Sequence, residues 1–394
     1  MWIGAFNTGL SRSYFMTLNE ISPHLVSLQA APFRVHRHRA MGTEFCLYLE
    51  ALDQEHAEAN ERACFQAVFE EIDRVEAAFS RFRASSEISR LNRQAALGPV
   101  VTDPEVFRIL AETQSIWLKT GGAFDIALGR LSRAWGFAER APHVPEPEAI
   151  AEALSASGMA LVALDAEWRT VQFLQPGVEL DLGAFAKGYA VDCALEQLRA
   201  AGVAGVIDAG HSSIAAVGEP FESQWLIEVR LPPLEEPQDW SDPLSADCAA
   251  DRVLSAVPLH GRAMASSGIM EQKFEQGGQT FSHLLDARIA PSIAPRLDRG
   301  IAPSVNPRKP GSDPARLMLQ TTVLAPTSAT ADALSTALFI LGPEEGSAVL
   351  SNFENACALW VYQDAAGIGW QHRNWPGEIS GLNEGNCSSA FHPQ

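Results

Sequence analysis

Apolar side chains alternate along TEFCLYLE, with Phe45, Leu47 and Leu49 on one side, and this period of two predicts a strand within residues 35–50. The period then lengthens. Over 54–79 the stripe Ala67, Val68, Ile72, Val75, Phe79 predicts a long helix. The polar stretch FSRFRASSEISRLNRQ (79–94) reads as a solvated loop. Asp103 and Pro104 hold the N-cap and first helical positions of a helix that runs to about Lys119. GGAFDIALGRLSRAWGF (121–137) carries a short amphipathic helix ending at a tight turn, 141–147 is a Pro-rich linker, and 147–157 is a short helix. LVAL and TVQFL form two strands around a turn at Ala166. They lead into residues 179–201, where ELDL reads as a strand and Gly183 turns the chain. Phe185, Tyr189, Cys193, Leu195 and Leu198 then mark a helix stopped by Gly202.

Beyond it, 205–218 reads as strand, glycine turn, strand. QWLIEVR and RVLSAV are strands on either side of a Pro- and acid-rich loop at 232–251. Residues 261–288 give a Ser-Ser-Gly turn and a hairpin whose second strand carries His283 and Asp286. The Pro-, Arg- and Ser-rich stretch 290–315 reads as a disordered or extended insertion. The strand LMLQTTVLAP, the helix SATADALSTALFILG with Gly342 as its stop, and the strand CALWVY follow. Residues 1–33 read as a poorly ordered leader, 34–373 as the folded domain, and 374–394 as a loose tail. Strands and helices interleave without a regular βαβ pattern, which gives an α+β class.

Composition narrows the partners. The net charge of −19, with no basic run longer than RVHRHR, argues against nucleic acid. Six scattered cysteines without a CxxC pair argue against a zinc site or a disulfide framework, and they suit a reducing compartment. No run of about 18 apolar residues exists to span a membrane. No signal peptide is recognisable, which points to the cytoplasm.

Candidate chemistry gathers first at 181–188. Asp181, Gly183, Lys187 and Gly188 place a carboxylate, an ammonium and close-approach glycines at a helix N-terminus, where free N–H groups favour a phosphate. An ordinary strand-to-helix junction with a surface lysine would look the same. The wider pattern decides. MGTEF, FSRFR-x3-EISRLN, GGAFD…WGF, DLGAFAKGYAVD, ASSG…FSHLLD and TVLAPTSATADALSTALFILG occur in this order over 35–362. In this the chain resembles the FAD:protein FMN transferases, also known as the thiamine-biosynthesis lipoprotein family.

The resemblance implies largely antiparallel or mixed sheets packed with helices, in two intertwined halves around a central FAD cleft. It implies Mg2+-dependent transfer of FMN from FAD to a Thr or Ser hydroxyl of a target protein, with release of AMP. The target would bear an Asp-x-x-Ser/Thr-Gly-Ala-Ser/Thr type motif. FAD hydrolysis to FMN and AMP, or flavin binding without turnover, are the alternatives. For Mg2+ the resemblance points to Asp332 and Thr336, on one face of the predicted helix at i and i+4, and to the backbone carbonyl of Ala184. For FAD it points to Met41, Phe82, Ala123, Phe124, Asp125, Asp181 and Lys187. Phe124 packs either on a ring of the ligand or on the core. His283 is the candidate general base, since an imidazole titrates near working pH. The chain departs from its relatives at several places. Phe82 replaces a frequent tyrosine, Ala329 replaces a further acid, Ala209-Gly210-His211-Ser212-Ser213 replaces a Gly-Gly-Asp turn, and Asp286-Ala287-Arg288-Ile289-Ala290 replaces Asp-Pro-Arg-Thr-Gly. Ser212 and Ser213 are expected to serve the flavin or a phosphate.

Overall fold

A computed structural model describes residues 33–50, 57–218, 225–231, 253–269, 272–276, 279–288, 317–364 and 367–379. In chain order the first half holds β1 (Phe33–Ala40), β2 (Thr43–Glu50), α1 (Ala57–Phe79), α2 (Glu87–Gln94), β3 (Val100–Val101) and α3 (Pro104–Lys119). Then come α4 (Gly129–Ala134), α5 (Pro147–Ser155), β4 (Val162–Asp165), β5 (Thr170–Phe173), α6 (Ala186–Ala201), β6 (Gly205–Ala209) and β7 (Ser213–Val217). The second half holds β8 (Leu226–Arg230), β9 (Val253–Pro258), β10 (Ala263–Gly268), β11 (Lys273–Gln276), β12 (Gln279–Ser282) and β13 (Leu317–Ala325). It closes with α7 (Ser328–Leu350), β14 (Cys357–Asp364) and β15 (Gly367–Arg373).

The frame is an eight-stranded sheet in the order β1-β2-β6-β7-β10-β13-β14-β15, antiparallel at every pairing. Each half of the chain supplies four neighbouring strands, joined where Ala263 faces Ala215. Alternation along the strands sorts the two faces. Phe45, Leu47, Leu49, Ile207, Ala209, Ala215 and Ala265 pack with the buried stripes of α1, α6 and α7. Cys46, Tyr48, Val206, Ile214 and Met264 pack on the other side with Ile227, Val229, Leu254 and Val257 of the β8–β9 hairpin. The α+β class, and the largely antiparallel sheets with packed helices that the resemblance implies, are those observed.

Several local expectations change. The strand signal at 35–50 is a hairpin, with Met41 (φ 52) and Gly42 (φ 77) turning the chain between β1 and β2. The polar stretch at 79–94 is helical from Glu87. Ser86 caps it by accepting from Ser89 N–H (3.0 Å), and Ile88 and Leu91 are buried. ELDL is not a strand. Leu180 gives its N–H to Asn92 Oδ1 (2.8 Å) and its C=O accepts from Asn92 Nδ2 (3.0 Å), while Asp181 N–H goes to Ile126 O (2.7 Å). One side chain and a loop thus take the groups a ladder would use.

The hairpin's second strand ends at Ser282, so His283 and Asp286 follow β12 rather than lie on it. Gly342 (φ 70) does stop the first helical segment of α7 as expected, and Pro343 opens a second segment directly after it. The chain stays packed to residue 379. Trp375 is buried, its Nε1 donates to Ser255 Oγ (3.0 Å), and that hydroxyl donates to Glu378 O (2.7 Å). The leader, the 290–315 insertion and residues 380–394 lie outside the described residues. Asp103 does cap α3, accepting from Glu105 and Val106 N–H.

Candidate functional site

The site is built where α6 crosses the start of α7. Gly188 makes the crossing possible: a Cβ there would lie 2.3 Å from Ser328 O and 2.8 Å from Ala329 N. Asp192, one turn along α6, accepts from the N–H groups of Ser328 (2.7 Å) and Ala329 (2.9 Å). It thereby satisfies two of the orphan donors at the α7 N-terminus, while Thr327 Oγ1 takes the Thr330 N–H. Burial pushes the Asp192 carboxyl up to about 6 against the pull of these two amides.

The same crossing delivers Asp332. Its carboxylate is buried, and Oδ2 accepts from Gly188 N–H at 3.1 Å. In a regular helix that N–H would serve the carbonyl four residues back, Ala184. Gly188 therefore has a structural duty, and the phosphate role expected for it from sequence is not what its position shows. Thr336 follows one turn after Asp332, with Oγ1 3.2 Å from Ser267 Oγ of β10. Ser267 Oγ is also 2.8 Å from Ser335 Oγ, which donates to Asp332 O at 2.9 Å. Lys187 stands half-buried on the first turn of α6, with no ion-pair partner among the described residues.

Asp181 shapes the turn into α6: Oδ1 accepts from Gly183 N–H (3.0 Å), and Oδ2 lies 3.1 Å from Arg81 Nε. Arg81 is nearly buried and also reaches Glu179 (3.5 Å). Its guanidinium lies 4.8 Å from the ring centroid of Phe82, which is 74% exposed. Phe82 thus offers a flat open ring on a fixed cation. Met41 joins the same loop through Glu76, which accepts from Met41 N–H (3.0 Å) and pairs with Arg83.

Phe124 is fully buried and packs on Phe185 (6.5 Å) in the core, which decides between its two expected roles. Ala123 is buried beside it. Asp125 caps the loop, accepting from Ala127 N–H (2.7 Å) and Met159 N–H (2.8 Å). It lines a cavity of about 400 Å3 with Trp117, Gly122, Gly158, Ala287 and Arg288. Asp286, buried, accepts from Arg288 N (2.9 Å), Nε (2.8 Å) and Nη2 (2.6 Å) and so fixes that wall.

Burial pushes the Asp125 carboxyl up to about 6, with the Asp286 charge adding to it. A carboxyl raised in the folded state stabilises fully below its unfolded value near 3.8, and that stability is lost as pH rises through about 6. In urea titrations, the stability of Asp125→Asn relative to the parent should therefore rise by about 2–3 kcal/mol from pH 4 to pH 7. A pH-independent difference would show that this carboxyl does not titrate in the window.

His283 lies just past the end of β12. Its Nδ1 lies 3.3 Å from Gln272 O, and its ring meets Phe137 edge-on at 6.5 Å. A carbonyl only accepts, so this contact favours the tautomer with the proton on Nδ1 and the lone pair on Nε2. In the substituted turn at 209–213, Ser212 Oγ donates to Ala209 O (2.9 Å), and Ser213 is buried with no hydrogen-bond partner for its Oγ among the described residues. His211 (φ 63) bonds the buried Asp208 through Nδ1 (2.9 Å). Burial lowers its pKa, but the Asp208 carboxylate outweighs that, and the net shift is upward.

Among the described residues no cluster of three or more His, Cys, Asp and Glu side chains stands ready for a metal. Asp332, Thr336 and Ala184, which the resemblance implies for Mg2+, carry a carboxylate, a hydroxyl and a backbone carbonyl, a hard-oxygen set. Sequence reasoning missed Asn92, Glu76, Asp192, Ser267 and Ser335. All but Glu76 lay within quoted motifs, as polar residues without an assigned task.

The fold is shared with a solved structure, the ApbE protein of Thermotoga maritima. It superposes with a TM-score of 0.67 at 27% identity, covering 87% of this chain and 97% of that one. The model of the ApbE family matches residues 41–298 and 305–360, and the chain belongs to that family. The FAD:protein FMN transferase of Rhodobacter capsulatus is 28% identical over 286 residues, which is 72% of this chain and 47% of that protein. The Treponema pallidum FAD:protein FMN transferase is 28% identical over 321 residues, 78% of this chain and 79% of that protein. The chain thus spans about half the length of the first relative and about four fifths of the second.

Proposed function

We propose that this chain transfers the FMN half of FAD to a Thr or Ser hydroxyl of a target protein, with Mg2+ required and AMP released. Its family and the activity named for its relatives supply the reaction. The observation in this chain that supports it is the bond from Gly188 N–H to Asp332 Oδ2, which ties the first turn of α6, where Lys187 lies, to the Asp332 turn of α7.

Asp332 carboxylate, Thr336 hydroxyl and Ala184 carbonyl are the oxygens that would hold Mg2+, and the Gly188 amide is already committed to Asp332. A cation bound there would neutralise the pyrophosphate and polarise its oxygens. Lys187 contributes a point charge for the departing phosphate. Phe82, on its guanidinium support, stacks against a flat ring of FAD, and Met41 lies in the turn beside it. Asp181 holds the α6 turn and would accept from a ribose or adenosine group. Ala123 and Phe124 act through backbone and packing, and they seat Asp125 at the cavity.

The target hydroxyl oxygen attacks the phosphorus on the FMN side. As the new P–O bond forms, the pyrophosphate P–O bond breaks and AMP leaves with that electron pair. His283 Nε2 takes the hydroxyl proton. The target carries an Asp-x-x-Ser/Thr-Gly-Ala-Ser/Thr type motif, as the resemblance to the family implies. General-base removal costs about 100- to 10,000-fold, so His283→Gln should slow transfer by that much while the melting temperature stays near the parent's. Unchanged transfer in His283→Gln would remove it from the mechanism.

A further inference from the structure

The hydroxyls of Thr336, Ser267 and Ser335 form a chain whose proton direction is fixed by its last member. Ser335 Oγ lies 2.9 Å from the Asp332 carbonyl, and a carbonyl can only accept. The one proton of Ser335 is therefore spent there. Ser335 must then accept from Ser267 across 2.8 Å, which spends the proton of Ser267. Ser267 in turn accepts from Thr336 Oγ1 across 3.2 Å. The chain reads Thr336 O–H to Ser267 O–H to Ser335 O–H to Asp332 C=O. Ser335 is fully buried and Ser267 nearly so, which leaves little room for water to scramble the order.

The consequence falls on Thr336. With its proton turned toward β10, its lone pairs are turned away from β10. A hydroxyl serves a cation only through lone pairs, and a freely rotating one presents its proton part of the time. We propose that Ser267 and Ser335 are positioning residues that set the Thr336 hydroxyl rotor for cation binding. The proposal rests on the reading above, in which Thr336 and Asp332 hold Mg2+. The relay also ends on Asp332, so the two cation ligands are tied to one network that crosses from helix to sheet.

The test is a titration of Mn2+ into the full chain with FAD present, followed by electron paramagnetic resonance of free Mn2+ and corrected for Mn2+ held by FAD alone. Loss of a group that orients a metal ligand typically costs about 10- to 100-fold in affinity. Ser267→Ala should weaken Mn2+ by about that factor, and Ser267→Thr, which restores the hydroxyl, should recover most of it. Ser335→Ala, which removes no neighbour of the cation, should also weaken Mn2+, and it serves as the second variant should Ser267→Ala not fold. Transfer by these variants should return toward the parent's rate at saturating Mg2+.

Parent-like Mn2+ affinity in both alanine variants, alongside loss of Mn2+ in Asp332→Ala, would overturn the relay and leave the metal reading standing. Mn2+ binding that Asp332→Ala does not weaken would instead overturn the metal reading, and the relay with it.

Discussion

Asp332→Ala is expected to abolish flavin transfer, by a factor of at least about 1,000, because it removes two things at once. The carboxylate is the sole charged oxygen among the three donors assigned to Mg2+, and metal stabilisation of a transferring phosphoryl group is worth several kcal/mol. The same carboxylate accepts the Gly188 N–H, so its loss leaves a buried amide unpaired at the helix crossing. Asp332→Asn separates these effects. The amide oxygen can still accept from Gly188, so the melting temperature should return to within a few degrees of the parent's. Transfer should not return, since a neutral amide is a poor substitute for the charge. AMP release measured with FAD and Mg2+ reads the chemistry, and a thermal melt reads the fold. An Asp332→Asn variant that transfers flavin at more than a tenth of the parent's rate would place the metal elsewhere.

Gly188→Ala is expected to produce the greatest loss of stability of any single methyl added to this fold's helices. The added Cβ would meet Ser328 O at 2.3 Å, Ser328 C at 2.6 Å and Ala329 N at 2.8 Å, all of them backbone atoms. Backbone cannot rotate away as a long side chain can. Here the α7 start is also tied to α6 by two hydrogen bonds to Asp192. Overpacking in a tight core costs about 1–3 kcal/mol and sometimes more, and the distances here put the expected cost at or above about 3 kcal/mol. Alanine is the better helix former by about 1 kcal/mol, so a purely local view predicts the opposite sign. Urea denaturation decides: a variant as stable as the parent would mean that the two helices separate without penalty. Where it still folds, Gly188→Ala should also lose transfer, because pushing the helices apart stretches the Gly188–Asp332 bond.

The sequence carried the frame well because the frame obeys local rules. Alternation marked β2, the glycine turn in 205–218 separated β6 from β7, the Asp103-Pro104 pair marked the start of α3, and Gly202 in the left-handed region closed α6 as expected. What failed locally failed for tertiary reasons. ELDL has strand composition, but its backbone is claimed by Asn92 from 88 residues away, which no short window can show. The polar stretch before Asn92 became a helix because Ser86 capped it and two apolar residues found the core. Gly342 was read as a stop and does break α7, and what the sequence did not show is that Pro343 opens a second helical segment directly after it.

The candidate site was legible in its chemistry and not in its geometry. Asp181 and Lys187 were singled out by type and position and Asp332 and Thr336 by the resemblance, and in the structure Gly188, next to Lys187, bonds Asp332. Phe124 and Ala123 were named beside them and turn out to be buried supports. Gly188 was assigned to a phosphate and is occupied by a neighbouring helix. Ser267 and Ser335 carried no signal, since a serine's task depends on which hydroxyl it faces across the sheet.

The decisive measurement is covalent flavin on a target. The full chain is incubated with FAD, Mg2+ and a protein domain bearing the Asp-x-x-Ser/Thr-Gly-Ala-Ser/Thr motif, and the denatured mixture is run on a gel and viewed for flavin fluorescence. The structure and the family predict a fluorescent target band that needs Mg2+, vanishes with EDTA, and vanishes when the motif's hydroxyl residue is replaced by alanine. A target that stays dark while FAD is bound and Mg2+ is saturating, or a band that forms equally well in EDTA, would contradict the metal-dependent transfer proposed for the Asp332–Thr336 site.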